Sequence, residues 1–366
     1  MRHVAISSAV LALAALAALP ACPAPADTTP LIHVDPRAAQ RLAWLGHVAG
    51  GEDDEKPAAP PAAHVHPMKD GEQLGGPAAR GRPGDLVLEN AEVAFVVDQR
   101  RGRLIDAADA HARKDELGQM APRIGSTSAP EACASVRGGT DADGSAWVEA
   151  RGCVSADAKL ALTTRYTLHG PDRALLVDTT VENTGDADAM LASLGDVVEW
   201  GGAERVAPGK PRGFTGPSSG PYVGAVGRFV SYAVTSTEGD IGAVSAASST
   251  ETTVREKVPL SAHATTHYER VVLVGARADT ASLVGELALA AGQPVGDVKV
   301  SVPGGGPTTI ELTPDGSTEA ITLAAPFEAM LPPGRYWIMS SRGTARIGPV
   351  DVKPDGVVEA AVPAND

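Results

Sequence analysis

Residues 160–181 read LALTTRYTLHGPDRALLVDTTV, and this stretch decides the fold. Apolar and polar side chains alternate over 160–168, and a second apolar-rich run at 174–181 follows a Gly-Pro-Asp turn at 170–172. Side chains of a β-strand point alternately to its two faces, so this alternation predicts strands with one buried face. Glycine and proline at the break are typical of a tight turn. The stretch therefore predicts a β-hairpin within a sheet.

Similar strand patterns recur on both sides of this hairpin. Apolar runs at 86–88 and 93–97 precede it, and another at 271–274 follows it. The 366 residues include 40 Gly and 29 Pro but only 4% aromatic residues, a balance that favours short strands and turns over long helices. The sequence therefore predicts an all-β protein, whose length suits two folded units plus tails.

One helix interrupts the strand pattern. Asp279 or Thr280 is a suitable N-cap, the helical run extends to Ala291, and Gly292 fits a C-terminal stop. Beyond it, valines alternate with polar residues over 298–302, and further short strands follow. We expect a first β-domain over 69–285 and a small β-sandwich over 286–366.

The amino terminus has the pattern of an export signal. Residues 5–19 form an apolar run too short to span a bilayer, which needs about 20 residues. The segment Leu19 to Cys22 resembles the lipobox of bacterial lipoproteins, which implies cleavage after residue 21 and a diacylglycerol on the Cys22 thiol. The alternative is an ordinary signal peptide, with Cys22 incidental. Pro23 follows instead of Asp, so the analogy favours a lipid-anchored envelope protein of the outer membrane over the inner membrane.

Residues 22–68 are predicted to form a tether, because polar and proline-rich runs dominate them. His64 and His66 have the spacing of a metal-binding pair. They lie among Ala, Pro and Gly ahead of the predicted strands, however, so we interpret them as part of the linker and predict no metal site.

Two further cysteines support export. Cys133 and Cys153 flank the turn-rich segment 138–144, so a hairpin would bring their sulfurs together. In an oxidising compartment we expect a disulfide. The alternative is two buried free thiols.

The carboxyl-terminal region contains Gly292-Gln293-Pro294-Val295 before a valine-rich strand and the segment LPPGRY at 331–336. With these motifs it resembles, over about 290–362, the carboxypeptidase-regulatory, transthyretin-like β-sandwich. The resemblance implies a non-catalytic module.

The larger block contains a set of turn and strand-core motifs, the segments 84–90, 102–107, 183–185, 195–201 and 268–275. With these motifs it is similar to the amino-terminal β-supersandwich of exported PHP-type metallohydrolases related to carbaryl hydrolase. The resemblance implies a galactose-mutarotase-like supersandwich. In that family a PHP domain with the metal ligands follows the sandwich, whereas this sequence ends at Asp366, so we expect the catalytic part to be absent.

Candidate ligand-binding residues lie near the strand ends. Asp196, Glu199, His169 and Glu269 can exchange protons, and Trp200 offers a face on which a sugar ring could stack. The same carboxylates are equally typical of turns and strand edges, and the low aromatic content favours a core position for Trp200. We therefore assign no catalytic residue and no cofactor.

Two more histidines, His263 and His267, are four residues apart, but their Thr-rich context favours a loop or strand with surface histidines. The formal net charge of −14 argues against a nucleic-acid partner, which requires a basic face. These patterns favour a non-catalytic envelope lipoprotein for recognition or scaffolding, with glycan or an envelope protein as its partner. The alternative hypothesis is a carbohydrate-active enzyme, an epimerase, lyase or hydrolase, that uses a supersandwich cleft.

Overall fold

The computed structural model describes residues 62–126, 132–154, 159–302, 308–317, 320–325, 327–340 and 346–362. The predicted signal segment, Cys22 and most of the predicted tether lie outside these residues. Within the described part, no helix is long and apolar enough to cross a membrane.

Ten antiparallel strands of the described chain form the first sheet. They are β1 His64–Pro67, β2 Leu86–Glu89, β3 Val93–Val97, β4 Leu104–Asp109, β5 Gln119–Ile124, β10 Ala189–Glu199, β12 Gly216–Gly220, β15 Ile241–Ser245, β16 Ser249–Thr253 and β17 Arg255–Leu260. Their order is β1-β2-β3-β4-β5-β10-β16-β15-β12, and β17 also pairs with β10.

Eight antiparallel strands form the second sheet. They are β6 Ser135–Thr140, β7 Ala146–Val154, β8 Leu160–Leu168, β9 Ala174–Asn183, β11 Glu204–Val206, β13 Val223–Val226, β14 Ser231–Ser236 and β18 Thr265–Gly275. Their order is β11-β13-β14-β18-β9-β8-β7-β6.

The hairpin predicted from residues 160–181 is confirmed as β8 and β9. Leu160 pairs with Asn183 and Leu168 with Leu175. Alternate residues of β8 are buried, as the sequence pattern requires. The buried side chains, such as Tyr166 and Leu168, join one cluster with Phe95 of the ten-stranded sheet. The two sheets therefore pack face to face around one core.

The predicted linker boundary at residue 68 is wrong, because His64–Pro67 is an edge strand of the ten-stranded sheet. His64 pairs with Glu89 and Pro67 with Leu86. The neighbouring Ala63 is buried in the core between the sheets. A four-residue edge strand has too few side chains for an alternation pattern, and the proline-rich run before it obscured its start.

The predicted helix is confirmed as α1, Thr280–Ala290, with the Asp279 side chain accepting from the backbone N–H of Ser282. Leu283 and Leu287 pack on the outer face of the eight-stranded sheet. The opposite side meets β22, Phe327–Leu331. The predicted domain boundary between residues 285 and 286 thus falls within a helix that contacts both units.

The carboxyl-terminal strands form a small sandwich of two sheets. With β22 they are β19 Gly296–Ser301, β20 Thr308–Pro314, β21 Ile321–Ala325, β23 Gly334–Ser340, β24 Arg346–Val352 and β25 Val357–Ala361. β22 and β25 flank β19 in the three-stranded sheet, where β19 and β25 run parallel, and the four-stranded sheet has the order β21-β20-β23-β24. The described architecture confirms the all-β supersandwich followed by a small β-sandwich.

A fully buried ion pair joins the two large sheets. Arg270 Nε and Nη2 donate to the Asp196 carboxylate at 2.8 and 2.6 Å, and both side chains are 0% exposed. Arg270 Nη1 also donates to the Val177 carbonyl and to Thr179 Oγ1. Burial opposes the charge on Arg270, but Asp196 raises the pKa of its guanidinium above the usual range. Two nitrogens of one guanidinium therefore meet both oxygens of one carboxylate in a bidentate contact.

Cys133 and Cys153 form the predicted disulfide. It joins the residues just before β6 to the far end of β7. Their sequence separation of 20 corresponds to a stabilisation of about 3 kcal/mol by loop-closure arguments.

We expect Asp196→Ala to lower the free energy of unfolding by about 3–5 kcal/mol, because it leaves a buried guanidinium without its carboxylate. The double variant Asp196→Leu with Arg270→Met should lose clearly less, because it removes both charges. Urea denaturation measures both values.

Glu328→Ala is the matched control, since Glu328 pairs with Lys299 on the surface and its loss should change stability by at most about 1 kcal/mol. Equal losses for the Asp196 single and double variants would contradict the role of the buried charge.

Candidate functional site

A cleft of about 700 Å³ opens between two loops of the ten-stranded sheet and the start of β6. One loop, residues 80–85, leads into β2, and the other, residues 98–103, connects β3 to β4. Cys133 and the residues after it form the facing wall. The lining residues are Arg80, Arg82, Pro83, Asp85, Asp98, Gln99, Arg100, Arg101, Ile105, Gln119, Cys133, Ala134, Ser135 and Val136.

The two aspartates of the cleft hold its loops in place. Asp98 Oδ1 accepts the backbone N–H groups of Arg100 and Arg101 at 2.7 and 2.6 Å. Asp85 Oδ2 accepts from the backbone N–H of Arg82 at 2.8 Å, and its Oδ1 accepts from that of Gln99 at 3.0 Å. Asp85 therefore ties one loop to the other, as expected of short carboxylates in turns.

The arginines of the cleft differ in their partners. Arg80 donates to Glu199 at 3.4 Å, and Glu199 also accepts from Gln119 Nε2 at 2.9 Å. Arg82, Arg100 and Arg101 are exposed, and none of the three forms an ion pair with the residues that the structure describes. With four arginines against two aspartates, the lining residues that the structure describes carry a net charge of +2.

Two buried aspartates lie on or bond to β4, the strand whose Ile105 lines the cleft, and sequence reasoning missed both. Asp106 accepts the backbone N–H groups of Arg80 and Gly81 at 2.7 and 2.8 Å. Burial raises its pKa to about 6. A carboxylate inside the otherwise apolar run of β4 was the available signal. Because Asp106 is 0% exposed, its role is to support the loop.

The second buried aspartate, Asp115, bonds its own segment to the backbone of β4 and lies close to a tyrosine hydroxyl. Its Oδ1 accepts the N–H groups of Ala107 and Leu117 and lies 3.4 Å from Tyr232 Oη. Its Oδ2 has no hydrogen-bond partner within the described residues. Burial raises the pKa of Asp115 to about 8, and the Asp106 charge adds to this rise.

The prediction that Trp200 forms a sugar-stacking platform is wrong. Its side chain is 1% exposed in the core between the sheets, and its Nε1 donates to Thr250 Oγ1 at 2.7 Å. The alternative interpretation of Trp200 as a core residue is confirmed. Asp196 is likewise unable to reach a ligand, because Arg270 occupies both of its oxygens in the interior.

The other candidates do not come together. Glu199 lies at the rim of the cleft, bound to Arg80 and Gln119. Glu269 lies on the eight-stranded sheet and accepts from Thr237 Oγ1 at 3.3 Å. His169 lies at the β8–β9 turn, where its carbonyl accepts from Asn90.

The histidines of the two pairs lie beside carboxylates or are exposed, and His64 is exposed on β1. His66 Nε2 lies 3.2 Å from Glu89 Oε1, and His263 Nε2 lies 3.1 Å from Asp186 Oδ1. His267 is an exposed residue of β18. In the described ranges, no three His, Cys, Asp or Glu side chains are grouped closely enough to share a metal ion.

No protein-family model matches the sequence, and no curated protein sequence is significantly similar to it. Solved structures resemble its fold at low identity. A TPR-domain containing protein from Parabacteroides distasonis is 10% identical over 59% of this chain and 55% of its own, with a TM-score of 0.40. A galactose mutarotase-like protein from Lactobacillus casei is 11% identical over 52% of this chain and 100% of its own, with a TM-score of 0.36. A GH36 α-galactosidase from Geobacillus stearothermophilus is 11% identical over 59% of this chain and 45% of its own, with a TM-score of 0.42. The chain thus spans about half the length of the first and third of these proteins.

We expect the stability of the wild type to fall as the pH rises from about 4 to about 8 through the contribution of Asp115. In this window the folded state keeps a proton on Asp115 that the unfolded state has released, so raising the pH favours unfolding. Asp115→Asn cannot titrate, and its free energy of unfolding should fall less over the same window. Urea denaturation at several pH values measures the difference.

Asp240→Asn, at an exposed position, is the control and should follow the wild-type profile. A profile of Asp115→Asn parallel to the wild type would show that this carboxyl does not titrate as described.

Proposed function

We propose that this chain is a non-catalytic recognition protein of the cell envelope, which binds glycan in the cleft between residues 80–85 and 98–103. The observation that carries the proposal is the cleft itself. Its volume of about 700 Å³ lies within the range of ligand sites, and its walls present Arg, Gln and Ser side chains that can hydrogen-bond sugar hydroxyls.

The carboxylates near the cleft are already hydrogen-bonded or buried, which supports a binding role over catalysis. Acid–base chemistry on a sugar requires two carboxyl groups that are available to the ligand. Asp85 and Asp98 accept backbone N–H groups, and Glu199 accepts from Arg80 and Gln119. Asp106 is fully buried.

The amino-terminal sequence supports the cellular placement. An apolar run followed by Leu19 to Cys22 is the pattern of a lipoprotein signal, so we propose a lipid anchor at Cys22 and, by the same analogy, an outer-membrane location. Several acyl chains would hold the protein permanently at the membrane surface.

The anchor is tested by labelling bacteria that express the full chain with radioactive palmitate. We expect label in the wild type and none in Cys22→Ser, because the thiol is the acceptor. Equal labelling of the two proteins would exclude Cys22 as the lipidation site.

Glycan recognition is tested by applying the full chain, purified in detergent, to an array of neutral and acidic glycans. We expect the protein to bind at least one class of glycan on the array. We also expect the chemical structure of the bound glycan to remain unchanged. Failure to bind any glycan would remove the proposed function, and conversion of a bound glycan to product would instead favour a carbohydrate-active enzyme.

A further inference from the structure

We propose that the cleft selects acidic oligosaccharides, and that Arg82, Arg100 and Arg101 ion-pair with their carboxylate or sulfate groups. The inference rests on the proposed function and names the class of glycan. It depends on the contrast between the cleft and the rest of the molecule.

The charge of the cleft is opposite to that of the chain. The protein carries a formal net charge of −14, whereas the described residues of the lining include four arginines and two aspartates. A protein with such an excess of acid repels anions over most of its surface. A positive concavity in this setting concentrates anions at one place, because low-dielectric walls focus the field.

The two aspartates of the lining form hydrogen bonds with backbone N–H groups and do not pair with the side chains of Arg82, Arg100 and Arg101. Asp98 accepts from the two backbone N–H groups that follow Gln99, and Asp85 accepts from Arg82 and Gln99. Three of their four oxygens, both of Asp85 and Oδ1 of Asp98, thus accept from backbone donors. The side chains of Arg100 and Arg101, whose backbone these bonds fix, form no ion pair with the described residues. Each guanidinium can therefore offer its planar fork of donors to a carboxylate or sulfate.

Arg80 differs from the other three arginines of the cleft because it has a carboxylate partner. Glu199 lies 3.4 Å from its guanidinium and neutralises part of its charge. Arg80 is therefore a weaker anion contact than the other three arginines, and its backbone is held by Asp106. The strongest contacts are expected along the 98–103 loop.

The described lining of the cleft has no aromatic residue, and this favours an acidic sugar over a nucleic acid as the ligand. Single-stranded nucleic acids bind through bases stacked on aromatic side chains as well as through phosphate contacts. None of the described lining residues is aromatic. A cleft that pairs arginines with Gln99, Gln119 and Ser135 is suited to a ligand with anionic groups and hydroxyls instead.

The test titrates the full chain in detergent with an oligogalacturonate, a sulfated oligosaccharide, a neutral oligogalactoside and polyglutamate, using calorimetry. We expect the two acidic sugars to bind at least about tenfold more tightly than the neutral one. Raising the salt from about 50 mM to about 500 mM should remove most of this preference, because salt screens exposed charges.

The double variant Arg100→Gln with Arg101→Gln should bind acidic sugars about tenfold more weakly, because each exposed ion pair changes an affinity by up to about fivefold. Lys210→Gln with Lys353→Gln is the matched control. It removes the same two charges at exposed positions outside the cleft, and its affinity should be unchanged. Arg100→Lys with Arg101→Lys should retain intermediate affinity, and an unchanged circular dichroism spectrum verifies the fold of each variant.

Four outcomes would overturn the inference, and they differ in what they say about the proposed function. Neutral sugar bound as tightly as acidic sugar would remove the selectivity and keep glycan recognition. Polyglutamate bound as tightly as the acidic sugars would indicate an acidic peptide as the partner. No binding of any sugar would remove both proposals. Retained affinity in the folded glutamine variant would place the acidic sugar outside this cleft.

Discussion

The bidentate contact between Asp196 and Arg270 constrains how the two large sheets lie on each other. Both side chains are 0% exposed, and an ion withdrawn from water without a partner loses several kcal/mol of solvation. Arg270 Nη1 meets the Val177 carbonyl and Thr179 Oγ1 of its own sheet. All of these groups are satisfied together only when β10 faces β18 in one alignment. The pair therefore specifies the alignment of the sheets, whatever its net contribution to stability.

Buried tyrosines of the eight-stranded sheet extend this constraint towards the cleft. Tyr268 Oη donates to the Gly195 carbonyl beside the ion pair. Tyr166 Oη donates to the Gly102 carbonyl, and Tyr232 Oη to that of Ala107. Gly102 belongs to the 98–103 loop, where it has a φ of +64° that favours glycine. The core thus fixes one end of the loop that carries the cleft arginines, and Asp98 fixes the other.

The sequence predicts those elements whose signal is local. Alternation identified β8 and β9, and the Asp279 cap with Gly292 identified the helix. The strand His64–Pro67 was not predicted, because it is an edge strand and the strand with which it pairs is not adjacent in sequence. The cleft was not predicted for a related reason. The hydrogen bond from Gln99 to Asp85 joins two loops that are separated in sequence, and no local sequence pattern indicates that they meet. The sequence allowed two interpretations of Trp200, a sugar-stacking platform and a core residue. Only the packing of the two sheets shows that it is a core residue.

The disulfide connects the stability of the cleft to the compartment in which the protein is proposed to work. Cys133 lines the cleft, and Cys153 is buried on β7, so their bond ties the wall facing the arginines to the core of the eight-stranded sheet. Disulfides persist in oxidising compartments and are rare in reducing ones. The opposite wall depends on Asp85, Asp98 and Asp106, which need no redox chemistry. An exported location and an intact binding wall are therefore linked through one covalent bond.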